Sequence, residues 1–170
     1  MVRHFITIGV LACALFQTAG SAQSLFSFRV VASGLGAPWE VVHGPDDHLW
    51  VTERTGRRVI RVNPANGAIV PLLRVDESYD PGTSWHEGVL GLALHPDLLK
   101  GLGRDYAYVA YTYDADPGAA LTRKLKVRRY TYDAATSTLA NPVELIANVP
   151  AHDDHGGGRK RPEDRLHRVR

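Results

Sequence analysis

The chain has 170 residues, of which 44% are hydrophobic and 22% charged, and its formal net charge is +2. Both fractions are ordinary for a globular protein, and so small a charge gives no ground for a nucleic-acid or anionic-membrane partner. The sequence has no Gly-x-Gly-x-x-Gly fingerprint and no P-loop, which argues against a nicotinamide or nucleotide enzyme, and no Gly-x-Ser-x-Gly elbow.

Residues 1–22 read as an export signal. Arg3 and His4 form a short polar start, Phe5 to Phe16 is apolar, and Ala19, Gly20, Ser21 and Ala22 are small. Cleavage after Ala22 leaves Gln23 at the terminus and implies a periplasmic or secreted product. The apolar run is shorter than the ~20 residues that span a bilayer. The alternative is a buried N-terminal helix. Cys13 is the sole cysteine, so the cleaved chain has neither a disulfide nor a thiolate metal site.

Beyond the signal, short apolar or alternating runs are bounded by Gly, Pro, Asn or Asp, the pattern of β-strands. Strands are expected near 28–33, 39–43, 49–53, 58–63 and 69–75, and again near 90–94, 107–113, 126–133 and 143–148. Gly44-Pro45-Asp46-Asp47 predicts a type I turn, and Asn63 to Gly67 another tight reversal.

The two series resemble each other. Each opens with an apolar strand ending at a Pro-Asp turn (Pro45-Asp46, then Pro96-Asp97). Each continues through an aromatic-rich strand (Leu49-Trp50-Val51; Tyr106 to Val109) and closes on an apolar one (Pro71-Leu72-Leu73; Glu144-Leu145-Ile146). A four-strand unit repeated at roughly 50–70 residues has the size of a propeller blade with loop insertions. Two such units do not close a ring, so the pattern implies more chain than is present. On the pattern alone a β-sandwich fits equally well.

Several motifs in fixed order then favour the propeller. Pro38 to Val42, Gly44-Pro45-Asp46, Leu49 to Arg54, Arg61 to Pro64, Glu87 to Asp97, Tyr108 to Thr112 and Asp154 to Arg159 follow one another. Over about residues 26–159 the chain resembles the soluble glucose/sorbosone dehydrogenases. The resemblance implies an all-β fold, a six-bladed β-propeller of which about the first two blades are present. It implies pyrroloquinoline quinone (PQQ) and Ca²⁺ as cofactors, and oxidation of the C1 hydroxyl of aldose sugars.

The resemblance also assigns roles. Asp154-His155-Gly156-Gly157-Gly158-Arg159 is similar to the family's Asp-His-x-Gly-Gly-Arg loop. His155 is then the general base, since a neutral imidazole with an ordinary pKa of about 6.5 accepts a proton near neutrality. Asp154 lies beside the sugar or orients the loop, and Arg159 buttresses it. His86 stands where relatives usually carry Gln or Glu near cofactor and substrate, and its adjacent Glu87 offers a carboxylate after a one-residue shift. The same residues also read as a solvated Gly-rich turn at 153–158 and a surface His-Glu pair at 86–87.

His43, His48 and His95 sit beside turns without metal-ligand spacing. A transition-metal site at His152 and His155 lacks a helix to aim both rings. Asp76, Glu77 and Asp80 make an acidic loop without calcium-loop spacing, best read as solvated. From Arg159 onward six of twelve residues are Lys or Arg and the alternation vanishes, so residues 160–170 are expected to be an atypical basic tail, from a frameshift or a truncated reading frame. The domain reading is therefore signal 1–22, propeller segment 23–159 and tail 160–170. Most cofactor ligands belong to later blades under this resemblance, so the chain alone is expected to be inactive, with an unpaired, aggregation-prone blade edge. The alternative functions are a non-catalytic carbohydrate- or protein-binding propeller and a metal-dependent lactonase, for which no metal constellation is visible.

Overall fold

A computed structural model of the chain describes residues 27–82, 86–116, 118 and 120–152. The predicted signal, the Asp154-His155 loop and the basic tail lie outside the described residues. Eight strands form two four-stranded antiparallel sheets. The first is β1 (Pro38–His43), β2 (Leu49–Glu53), β3 (Arg58–Val62) and β4 (Ile69–Arg74), in that order. The second is β5 (Val89–Leu94), β6 (Tyr106–Asp114), β7 (Arg123–Asp133) and β8 (Thr138–Pro150). Each sheet is a meander of consecutive strands with no strand exchanged between them. A sandwich of Greek-key type would interleave its strands, whereas a propeller blade does not.

The strands form where the period-two alternation is clean. In β6, Ala107, Val109, Tyr111 and Tyr113 point into the space between the sheets and are buried. They meet Trp50, Val59 and Leu72 of the first sheet and Tyr130 and Tyr132 of β7. Trp50 is fully buried, and its ring meets that of Tyr132 edge-on with centroids 4.9 Å apart. Such aromatic pairs contribute about 0.5–1.5 kcal/mol beyond burial alone.

Two turns hold the predicted chemistry. Asp47 N–H donates to the Gly44 carbonyl at 3.2 Å, closing the Pro45-Asp46 turn. Asp46 then accepts from the Trp50 indole at 3.0 Å and from Arg61 at 3.0 Å. Gly67 has φ of 75°, and a Cβ there would lie 2.3 Å from the Val31 carbonyl oxygen, so this reversal requires glycine.

One expected strand is absent. Residues 28–33 pair with no strand. The apolar signal there has another origin: Val31, Ala32 and Leu35 pack on Val51, Ile60 and Val62, covering the face of the first sheet turned away from the second. The other expected strands form with shifted ends, β8 extending well beyond 143–148 because its pairing with β7 runs from Asp133 to Lys124.

β8 is an edge strand and exposes Val143, Leu145 and Ile146, the last 52% accessible. Long exposed apolar edges template association. Ile146→Lys is expected to lower light scattering at fixed concentration while changing stability by less than about 0.5 kcal/mol, as surface substitutions do; equal scattering from both proteins would contradict this.

Candidate functional site

The antiparallel order brings the beginnings of β1, β3, β5 and β7 and the ends of β2, β4, β6 and β8 to one edge of each sheet. Contacts between the sheets show that the two edges coincide. Thr52 of β2 donates its hydroxyl to the Leu90 carbonyl at 2.6 Å, and the Arg54 guanidinium donates to the Glu87 carbonyl at 3.3 Å. The shared edge therefore holds Arg54, the loop 76–88, Arg123 and the chain leaving β8, where Ala151 N–H donates to the Arg123 carbonyl at 3.4 Å.

His86 lies immediately before β5 at this edge and is half-buried. Its ring meets Trp39, at the start of β1, edge-on at 5.6 Å and 89°. Trp39 itself is 43% exposed, so the pair forms an amphipathic surface with one aromatic side open to solvent. Asp154 and His155 lie outside the described residues. They follow the end of β8 at Pro150 by four and five residues.

The charges around this edge are engaged with one another. Glu53, fully buried at the end of β2, accepts from the Gly36 N–H at 2.8 Å and pairs with Arg58. Burial opposes its charge, but the Arg58 and Gly36 hydrogen bonds outweigh burial and hold its pKa below the usual carboxylate value. Arg54 approaches Asp80 at 3.4 Å, and Arg123 donates to Glu87 at 2.5 Å. The loop is clamped again where the Thr112 hydroxyl accepts from the Gly88 N–H at 2.7 Å and donates to the Tyr79 carbonyl at 2.9 Å.

The acidic loop is thus not simply solvated. Asp76 is exposed and pairs with Arg74, but Glu77 and Asp80 tie the loop to the sheets. Glu77 accepts from the Tyr111 hydroxyl at 2.5 Å and from Lys126 at 3.1 Å, and pairs with Arg128. Burial works against its charge, yet the Tyr111 and Lys126 hydrogen bonds and the charge of Arg128 keep its pKa below the ordinary 4.5. Burial, then the hydrogen bond to Glu77, pushes the Tyr111 phenol upward. These partners were missed in the sequence because they lie 34 and 49 residues from Glu77. The alternation that puts Tyr111 and Lys126 on the inner face was the available signal.

The remaining histidines serve turns. His48 Nδ1 lies 2.6 Å from the Asp46 carbonyl, His43 is exposed near Asp47, and His95 Nδ1 accepts from the Asp97 N–H at 3.0 Å while its ring contacts Tyr106. Among the described residues no group of three or more His, Cys, Asp or Glu could hold a metal ion. Among the described residues no helix is long and apolar enough to cross a membrane.

Two consecutive meanders packed face to face, with their first strands adjacent, are neighbouring blades of a β-propeller. The chain is 34% identical over 145 residues to quinoprotein glucose dehydrogenase B of Acinetobacter calcoaceticus, covering 84% of this chain and 30% of that protein. It is similar in fold to the PQQ-bound aldose sugar dehydrogenase of Streptomyces coelicolor, with a TM-score of 0.59 and 26% identity over 74% of this chain and 34% of that one. It also matches the fold of the soluble aldose sugar dehydrogenase of Escherichia coli in its apo-form, with a TM-score of 0.55 and 21% identity over 70% of this chain and 32% of that one. No family model matches. The chain is thus similar to quinoprotein glucose dehydrogenase and to aldose sugar dehydrogenases, and it spans about a third of the length of these relatives.

Two predictions follow from the clamp. Gly88 has φ of 114°, and a Cβ there would lie 2.6 Å from the Arg54 carbonyl oxygen. Gly88→Ala is expected to cost about 1–3 kcal/mol, read as a lower thermal midpoint, with an unchanged midpoint contradicting it. The depressed Glu77 pKa means its contribution is complete above pH 4.5 and is lost as pH falls through the lower folded value. Urea unfolding across pH is therefore expected to show wild type more stable than Glu77→Gln at neutrality, the two converging in acid. A gap independent of pH would refute the assignment.

Proposed function

We propose that the chain carries the substrate-side part of an exported, periplasmic or secreted, quinone-dependent aldose dehydrogenase that oxidises the C1 hydroxyl of a sugar to the lactone. One observation supports this above the others. The meander order delivers His86 and the chain leaving β8, which leads into Asp154 and His155, to the same edge of the two sheets. His86 and the last residues of β8 thus lie at the same end of the second sheet, beside its two outer strands.

In this reading His155 accepts the C1 hydroxyl proton on an imidazole nitrogen, and neutral imidazole suits that task near neutral pH. Asp154 accepts a sugar hydroxyl hydrogen bond, and His86 binds a second hydroxyl. Trp39 beside His86 offers an apolar surface to the sugar's C–H groups, the mixture of aromatic wall and few polar groups common in ligand sites.

The described residues do not form a seat for the quinone or for Ca²⁺. Arg54 and Arg123, the guanidinium groups of this edge, already bind Asp80 and Glu87, and no metal-ligand cluster occurs among the described residues.

The test is dye reduction with glucose, Ca²⁺ and added PQQ, run on the chain alone and on the chain extended through the following reading frame. Turnover is expected only in the extended protein. There, His155→Ala is expected to lower kcat by about 10²–10⁴-fold, the usual contribution of a general base. Unchanged turnover would remove His155 from the mechanism. No turnover from a folded, quinone-bound extended protein would favour a carbohydrate-binding propeller.

A further inference from the structure

Glu87 is held from both sheets at the candidate edge, yet for stability alone it is a poor choice. Its side chain is fully buried. Oε1 accepts from Arg123 Nε at 2.5 Å, while Oε2 is buried with no hydrogen-bond partner. An apolar residue of similar volume often serves stability as well as a buried ion pair, and a half-satisfied buried carboxylate is costly. Such a group calls for a role other than packing.

Its neighbours suggest that role. The Glu87 carbonyl accepts from Arg54, which belongs to the first sheet, while its carboxylate binds Arg123 at the start of β7 in the second. The next residue, Gly88, exchanges hydrogen bonds with Thr112 in both directions, its N–H to the hydroxyl at 2.7 Å and its carbonyl from the Thr112 N–H at 3.0 Å. The backbone leaving His86 is therefore fixed from both sheets. His86 in turn holds its ring edge-on to Trp39 from the first sheet.

We infer that Glu87 is a positioning residue: through its buried pair with Arg123 it fixes the loop that sets the His86 imidazole against Trp39. That this imidazole then meets a sugar hydroxyl rests on the dehydrogenase reading; the positioning itself does not. In a turning enzyme the consequence is selectivity among aldose hydroxyl patterns, because a ring displaced by about 1 Å no longer orients its hydrogen bond.

The experiment is NMR of the full chain with labelled His and Trp. The cross-peak between the Trp39 indole and the His86 imidazole reports the site. The cross-peak between Trp50 and Tyr132, whose rings lie 4.9 Å apart in the shared core, reports the fold. Glu87→Gln keeps the shape but removes the charge; it is expected to lose the Trp39–His86 cross-peak and keep the Trp50–Tyr132 one. Arg123→Lys, at a side chain 35% exposed, keeps the charge and removes the planar Nε donor, and is expected to weaken the same cross-peak. If Glu87→Gln does not fold, Arg123→Lys decides alone. Retention of the Trp39–His86 cross-peak in the folded variants overturns the inference, as does parallel loss of both cross-peaks. No sugar, quinone or turnover is needed, so the cross-peaks decide the positioning role alone, while turnover of the extended protein decides the dehydrogenase reading separately.

Discussion

The apolar core that the two sheets share, with Trp50 packed against Tyr132 towards one end of it, sets the placement of everything at either edge. The sheets have no hydrogen-bonded strand in common. Their relation is set by side chains interdigitating across one interface, and packed interfaces of this density do not slide freely. With that interface fixed, polar groups at its two ends come into register. At one end Arg61 reaches across to the Tyr132 hydroxyl at 2.6 Å while binding Asp46. At the other, Arg54 reaches across to the Glu87 carbonyl.

The buried charges have a common logic. Glu53, Glu87 and the partly buried Glu77 each sit where a strand end meets a loop and each faces an arginine or lysine from a different element. Loops of this kind would otherwise be the least ordered parts of the fold. Ion pairs add little net stability once desolvation is counted. They do impose direction, because a guanidinium fork accepts a carboxylate only in its own plane. A site assembled from loops needs direction more than it needs stability, which accounts for charge at positions where an apolar side chain would also pack.

Much of this was legible in the sequence, and the exceptions have physical causes. Strand-length alternation located all eight strands and their grouping in fours, and the Pro-Asp turns at Asp46 and Asp97 marked the same step in each unit. The run at 28–33 misled because apolar alternation reports burial, and Val31, Ala32 and Leu35 are half-buried without a pairing strand. The acidic loop misled in the opposite direction. Its carboxylates looked solvated because the cations that bind Glu77, Lys126 and Arg128, come from a strand some fifty residues away. His86 could be placed by resemblance, but its contact with Trp39 and the clamp behind it arise only when two sheets meet.

The division between edge and core also bears on how such a segment contributes to a larger ring. The core between the sheets is apolar and symmetric in kind, so one blade could follow another with little regard to chemistry. The edge is not symmetric. The first unit places Arg54 after β2, where it reaches forward to the second unit, and the second places Arg123 at the start of β7, where it reaches back to the loop between them. The loop from Asp76 to Gly88 is therefore held from both sides, whereas a loop at the outside of the pair has only one blade to hold it. A residue that must not move is best carried on such an inter-blade loop, and His86 is on it. The end of β8 reaches the same edge from the second blade alone, where Ala151 N–H donates to the Arg123 carbonyl, so it has one blade to hold it where Glu87 has two.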